Sequence, residues 1–136
     1  MGKTESYRLE NKGMWKMKIE MPYFGNLSVN RYKIVGRGGR PTNATKPEVL
    51  NWMSDLADSI REHTNFSEFY GMPVLIKLTG FFYDDRATPD LSNLHKVIGD
   101  AVEPALGVND REFKFLDEGY TTGCSNPHLI IELEVI

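Results

Sequence analysis

The chain has 136 residues, 40% of them hydrophobic and 26% charged, and its net charge is −3. That length predicts one domain over residues 1–136, with enough chain to bury a core. Seven Phe, six Tyr and two Trp beside so small a net charge exclude a disordered chain. No apolar run approaches the ~18 residues of a membrane span, so no membrane partner is expected. Cys124 is the single cysteine, which excludes an internal disulfide and a cysteine zinc cluster. The first residues, MGKTESYRLENKG, lack the apolar stretch of a secretory signal, and a cytoplasmic location is expected.

The charge is unevenly spread. Residues 1–46 carry ten Lys/Arg and three acids, a net +7, whereas the remainder carries six basic and sixteen acidic side chains, a net −10. Such a division suits a basic surface for a polyanion, and equally the docking of two copies through opposite halves.

In chain order, residues 1–12 are polar and predict a loose N-terminal segment. Trp15, Met17, Ile19 and Met21 alternate with Lys16, Lys18 and Glu20, the pattern of a half-buried strand. Residues 31–46 hold five positive charges, no negative one, and the run Gly36-Arg37-Gly38-Gly39-Arg40-Pro41, which predicts an irregular, mobile loop. Thr45-Lys46-Pro47-Glu48 reads as a helix start, and Leu50, Trp52, Met53, Leu56, Ala57 and Ile60 follow at helical spacing, with an end near His63–Asn65. Met72 to Phe82 reads as a central strand, and residues 84–89 as a loop. A second helix is predicted from Asp90 to Ala105, with a core-facing stripe from Leu91 to Ala105 and Gly107 as its stop. Strands follow at Glu112–Tyr120 and Leu129–Ile136. With no repeat and no strict βαβ alternation, this order predicts an α+β domain. Its form is two layers, a mixed sheet of about four to five strands with two main helices packed on it.

The chemistry concentrates in Pro89-Asp90-Leu91-Ser92-Asn93-Leu94-His95-Lys96, then Asp100, then Gly107-Val108-Asn109-Asp110. On a helical wheel Asn93, Lys96 and Asp100 share the face opposite the apolar stripe, and Asp90 stands at the helix entry. Carboxylates suit a hard cation such as Mg²⁺, and a lysine beside them can stabilise charge on a phosphate in the transition state. Each residue also has a plainer role. Asp90 suits an N-cap worth about 1 kcal/mol, and Ser92 and Asn93 can satisfy first-turn amides. Lys96 and Asp100, four apart, suit an exposed ion pair worth about 0.3–0.5 kcal/mol. Asp110 sits in ordinary turn chemistry. His63, His95 and His128 share no ligand spacing and read as structural or surface residues. Cys124 reads as inert, and Asp84 and Asp85 as solvated loop residues. In the basic loop, glycine permits close backbone approach and arginine grips phosphates bidentately, which points to nucleic acid.

Taken together these residues resemble the RusA-like family of Holliday-junction resolvases of bacteria and their prophages. Three stretches carry the likeness: Asn30-Arg31-Tyr32 with the basic loop behind it, the Pro89–Lys96 run with Asp100-Ala101, and Gly107-Val108-Asn109-Asp110-Arg111-Glu112-Phe113. They lie in family order across residues 15–136. The resemblance implies a homodimeric endonuclease that binds four-way DNA junctions in recombination and repair. It would cut paired strands by phosphodiester hydrolysis with Mg²⁺, or with Mn²⁺ as a substitute. By position, Asp90 and Asp110 match catalytic, metal-binding acids and Lys96 the functional lysine; Asp100 is a weaker metal candidate, and Ser92 and Asn93 are supporting residues. Asn30, Arg31, Lys33, Arg37 and Arg40 are the expected DNA contacts. Ser92 departs from the pattern, because the best-known members carry another catalytic Asp there, and Asn109 stands where they often carry an acid.

A helix from Asp90 to Ala105 would be about 22 Å long, and the five residues from Ala105 to Asp110 span at most about 17 Å. One chain then has difficulty bringing Asp90 and Asp110 to one metal. Antiparallel pairing of the second helices in a dimer would let Asp90 of one protomer meet Asp110 of its partner, giving two composite sites. Two rival readings remain open from sequence: a non-catalytic binder of branched DNA that has lost an acid at Ser92, and a protein-interaction module.

Overall fold

The computed structural model describes residues 4–9, 14–64 and 72–135. The expectations for residues 1–3, 10–12, Asn65 and Ile136 lie outside these residues. The fold is α+β, a mixed five-stranded sheet and a small two-stranded one with two helices. The main sheet contains β1 (Thr4–Leu9), β2 (Met14–Pro22), β5 (Val74–Phe81), β6 (Phe113–Thr121) and β7 (His128–Val135), in the order β1-β2-β7-β5-β6. All neighbours are antiparallel except β5 and β6, which run parallel.

The alternation read in the sequence explains the layers. Trp15, Met17, Ile19 and Met21 on β2, Val74, Ile76 and Leu78 on β5, and Leu129, Ile131, Leu133 and Val135 on β7 are all buried. They form one cluster with the apolar stripes of α1 (Pro47–Arg61) and α2 (His95–Leu106). Each fully buried Leu, Ile or Val there contributes about 1.5–3 kcal/mol relative to exposure. Pro47 opens α1 at a position where its missing N–H costs nothing. The Trp52 indole N–H donates to the Pro22 carbonyl at 2.7 Å and ties α1 to the end of β2.

The other face of the sheet mixes charged side chains with Leu75, Phe81, Leu116 and Ile130, and there the charge asymmetry is partly consumed within the chain. Lys16 on basic β2 faces Glu132 and Glu134 on acidic β7 at 3.5 and 3.6 Å, and Lys77 reaches Glu134 at 3.4 Å. The division of charge along the sequence becomes a cross-strand ladder.

Three expectations are corrected. Residues 4–9 are an edge strand paired to β2, not loose chain, because edge pairing is made by the backbone and needs no apolar pattern. The basic loop holds a hairpin, β3 (Lys33–Val35) against β4 (Pro41–Thr45), closed by a 3₁₀ turn in which Gly38 and Gly39 both adopt φ +74°. Those glycines serve the turn, where a side chain would be strained. The second helix is split, with a 3₁₀ turn at Leu91–Leu94 preceding the α-helix that starts at His95. The sequence also conceals one βαβ unit, β5-α2-β6, whose parallel strands require a crossover long enough to hold a helix. Among the described residues no helix is long and apolar enough to cross a membrane.

Candidate active site

The 3₁₀ turn at Leu91–Leu94 is the pivot of the site. Leu91 and Leu94 are buried beneath it. Asp90 caps it, its Oδ1 accepting from the Ser92 amide at 3.3 Å and its carbonyl from the Asn93 amide at 2.9 Å. The Asn93 carbonyl accepts from the Val29 amide at 2.8 Å and so anchors the segment that carries Asn30 and Arg31. Ser92 points into one cleft and Asn93 into another.

The first cleft, about 350 Å³, is lined by Ser92, His95, Lys96, Gly99, Asp100, Asp110, Phe113 and Phe115. Gly99 of α2 packs over Phe115 and Phe113, and Lys96 and Asp100 stand one turn apart along the same helix. Asp110 arrives from the loop after α2. Gly107 ends the helix in the left-handed region at φ +68°, the Glu103 carboxylate accepts from the Asp110 amide at 2.8 Å, and the Asn109 side chain accepts from the Arg111 amide at 3.0 Å. Asp110 therefore returns beside its own helix, a shorter journey than expected because the α-helix starts only at His95.

Lys96 Nζ meets Asp100 Oδ1 at 3.3 Å. The hydrogen bond to Asp100 and that carboxylate's charge, with a smaller contribution from Asp110, hold the lysine above its ordinary pKa of 10.5. The pair is 52% and 37% exposed, so salt screens it and its share of stability is small. Since the folded pKa is the higher one, that share is present below pH 10.5 and fades as pH rises through the folded value. A lysine that acts as a base needs a lowered pKa, and the Asp100 carboxylate shifts Lys96 in the other direction, toward the cation.

One chain thus gathers Lys96, Asp100 and Asp110, and the weaker metal candidate Asp100 is in the cleft. Asp90 does not line it; it heads the turn between the two clefts. The cap and metal readings of Asp90 separate experimentally. Asp90→Ser keeps a capping oxygen and should hold the melting temperature within ~2 °C, whereas Asp90→Ala should cost about 1 kcal/mol in unfolding. Activity lost equally in both variants would assign the carboxylate to chemistry; activity that follows stability would assign it to the cap.

The other expected DNA contacts divide. Lys33 braces the hairpin, donating to the Asn43 carbonyl at 3.0 Å and to Thr45 Oγ1 at 3.4 Å with its Nζ 4.8 Å from the Tyr32 ring centre. Arg37 and Arg40 are exposed at the hairpin turn. Asn30 and Arg31 line the second cleft, about 450 Å³, together with Arg86, a residue that sequence reasoning passed over.

His95, read from sequence as a structural or surface residue, lines the first cleft. Its ring stacks on Phe115, centroids 4.1 Å apart, and its Nε2 lies 2.8 Å from Asp117 Oδ1, which orients the imidazole at the wall of the first cleft. Its place beside Lys96 in the chain was the available signal, but Asp117, 22 residues on, was not foreseeable. Cys124 lies 3.8 Å from His128 Nδ1, and Glu20 4.0 Å from Nε2, a suggestive row. However, Nδ1 is 2.9 Å from the Asn126 carbonyl. The Cys124 thiol donates to that same carbonyl at 3.2 Å, so its proton is directed at the backbone and not at the ring. The carboxylate of Asp84 accepts from the Ala87 amide at 2.9 Å and shapes the loop.

No protein-family profile matches this chain, and no curated protein does either.

Proposed function

We propose that the protein is a Mg²⁺-dependent endonuclease that cuts branched DNA, four-way junctions above all, as a homodimer with two equivalent sites. The observation that supports this most is the meeting of Lys96, Asp100 and Asp110 in an open cleft one short turn away from an arginine-lined one. A polyanion that crosses that turn would meet Lys96 on one side and Arg31 on the other.

The donor set suits the ion. Asp100, Asp110 and Ser92 offer only oxygen, and Mg²⁺ is commonly held by one or two carboxylates, with substrate phosphate and water completing the shell. Among the described residues no group of three His, Cys, Asp or Glu gathers into an all-protein cage. Asp90, the other acid that the resemblance marks, heads the adjoining turn outside the lining of this cleft, and with α2 starting only at His95 the helix-length argument for a composite site no longer holds. When bound, Mg²⁺ supplies Lewis-acid polarisation of the phosphodiester. Lys96 stabilises the added negative charge at phosphorus, Asp100 fixes the ammonium, and Ser92 orients water by hydrogen bonding.

The deciding experiment incubates the full chain with four-way, forked and linear DNA. Symmetric cuts in the junction are expected, dependent on Mg²⁺, abolished by EDTA and by Asp110→Asn, with linear duplex spared. Ser92, where the resembling family has an acid, favours one second reading: a junction-binding protein without cleavage. Salt-sensitive junction binding with no cut in any metal would establish that reading. Failure to bind DNA even at low salt would overturn both.

A further inference from the structure

The second cleft has a composition that its position in the chain does not suggest. It brings Arg31 together with Arg86, 55 positions apart, and its remaining wall includes Tyr23, Asn30, Thr88 and Asn93, with no carboxylate. Neither arginine has a carboxylate within ion-pair distance among the described residues. In a chain with an excess of acids, two guanidinium groups at one hollow with no carboxylate partner among the described residues mark an anion site.

The hollow is also shaped for more than a bare anion. Arg31 packs against the Gly25 backbone, where a Cβ built on Gly25 would meet its Nη1 at an ordinary contact distance of 3.5 Å. Arg86 is carried by a braced loop in which Ala87 N donates to Asp84 Oδ1 at 2.9 Å and Thr88 Oγ1 donates to the Asp84 carbonyl at 2.8 Å. Burial pushes the Tyr23 phenol above its ordinary pKa against the pull of Arg31, so its hydroxyl keeps the proton and can donate. Asn30 and Asn93 offer both donors and acceptors, which a lone phosphate would not use but a nucleobase edge would. A volume of about 450 Å³ falls in the range of small-molecule sites.

We propose that this cleft is a nucleotide subsite, holding one unstacked nucleotide with its phosphate between Arg31 and Arg86 and its base edge against Asn30 and Asn93. The inference deepens the nuclease reading, since a nucleotide at a DNA branch point is already partly unstacked and costs least to extrude. A free mononucleotide presents the same chemistry. The strand is the source assigned here, because the cleft adjoins the Asp90–Leu94 turn and the Lys96 cleft beyond it.

The test uses the full chain and a fluorescent four-way junction with 2-aminopurine at the branch point. It measures junction affinity across a salt series, 2-aminopurine emission, and competition by thymidine monophosphate. Arg86→Ala and Arg31→Ala should each weaken binding about tenfold and lower the salt slope by about 1. Arg86→Lys should keep the slope and lose most of the affinity, because the ammonium lacks the bidentate fork. Wild type should brighten 2-aminopurine and Asn93→Ala should not. Junction binding unchanged by Arg86→Ala, or a loss of affinity with no change in 2-aminopurine, overturns the subsite and leaves the nuclease reading standing. Tight Arg86-dependent binding of thymidine monophosphate by a protein that ignores junctions overturns the assignment to a strand. A wild type that binds neither probe overturns the subsite, and cleavage without Arg86 shows that the two readings fail separately.

Discussion

Under the proposed nuclease reading, Lys96→Ala is expected to slow Mg²⁺-dependent junction cleavage about 100- to 1,000-fold, while junction affinity falls less than about tenfold. The asymmetry follows from when the charge is needed. A ground-state phosphodiester carries one negative charge shared over two oxygens, and hydrolysis adds a second as the nucleophile arrives. A cation already fixed in place stabilises the added charge without reorganising, so its loss falls on the chemical step and little on binding. Lys96 carries the charge for this role, with its Nζ 3.3 Å from Asp100 Oδ1 and its pKa shifted above the ordinary value by that carboxylate. Single-turnover rates at saturating enzyme separate the step from binding. The pH profile adds a second check: no loss of rate should trace to Lys96 below its ordinary pKa of 10.5. A Lys96→Ala enzyme within threefold of wild type would remove the lysine from the mechanism, and a rate limb near neutral pH that vanishes in that variant would recast it as a base.

Gly80→Ala is expected to destabilise the fold by about 1–3 kcal/mol, the cost of forcing extra atoms into a packed core. Gly80 is buried on β5, and a methyl there would run into the ring of Phe82, at Cε2 and Cζ, and come within 3.3 Å of Leu91 Cδ2. Phe82 has no free direction. It is fully buried and meets the Tyr23 ring edge-on at 4.9 Å, with Tyr120 at 6.2 Å on another side. Thermal unfolding should register a fall of about 3–5 °C for each kcal/mol at this chain length. Phe82→Leu deletes the two clashing ring atoms, so in the double variant the costs should fall short of their sum, with a coupling of about 0.5–3 kcal/mol. Additive costs, or a Gly80→Ala protein that melts with wild type, would contradict the packing argument. The same substitution carries a functional signature, because Leu91 begins the turn shared by both clefts. Gly80→Ala should weaken junction binding and cutting together, unlike Lys96→Ala.

Where the core was legible, the reason was local. The period of two from Trp15 to Met21 and from Leu129 to Val135, and the helical stripes of α1 and α2, report burial against a core without saying which element supplies it. The same logic failed at β1 and at the β3–β4 hairpin. There the stabilising contacts are backbone pairs and a lysine spent on Asn43 and Thr45, and neither leaves an apolar pattern. Asp90 as a cap was readable from its place before a polar turn, whereas the 3₁₀ form of that turn was not. That form moved the start of α2 to His95 and brought Asp110 back beside Lys96.

By itself, then, the sequence determined the two-layer α+β class, the buried faces, and the run from Asp90 to Asp110 that supplies the polar residues of the first cleft. The class and the buried faces are properties of composition and of residues within a turn or two of one another, and the run is a stretch of neighbouring chain. Only the tertiary structure decided that β7 lies between β2 and β5, that Lys16 spends its charge on Glu132 and Glu134, that Asp117 orients His95, and that Arg31 and Arg86 face one hollow. Each joins residues more than twenty positions apart, and strand order and the β5-α2-β6 crossover, not any local preference, choose those neighbours.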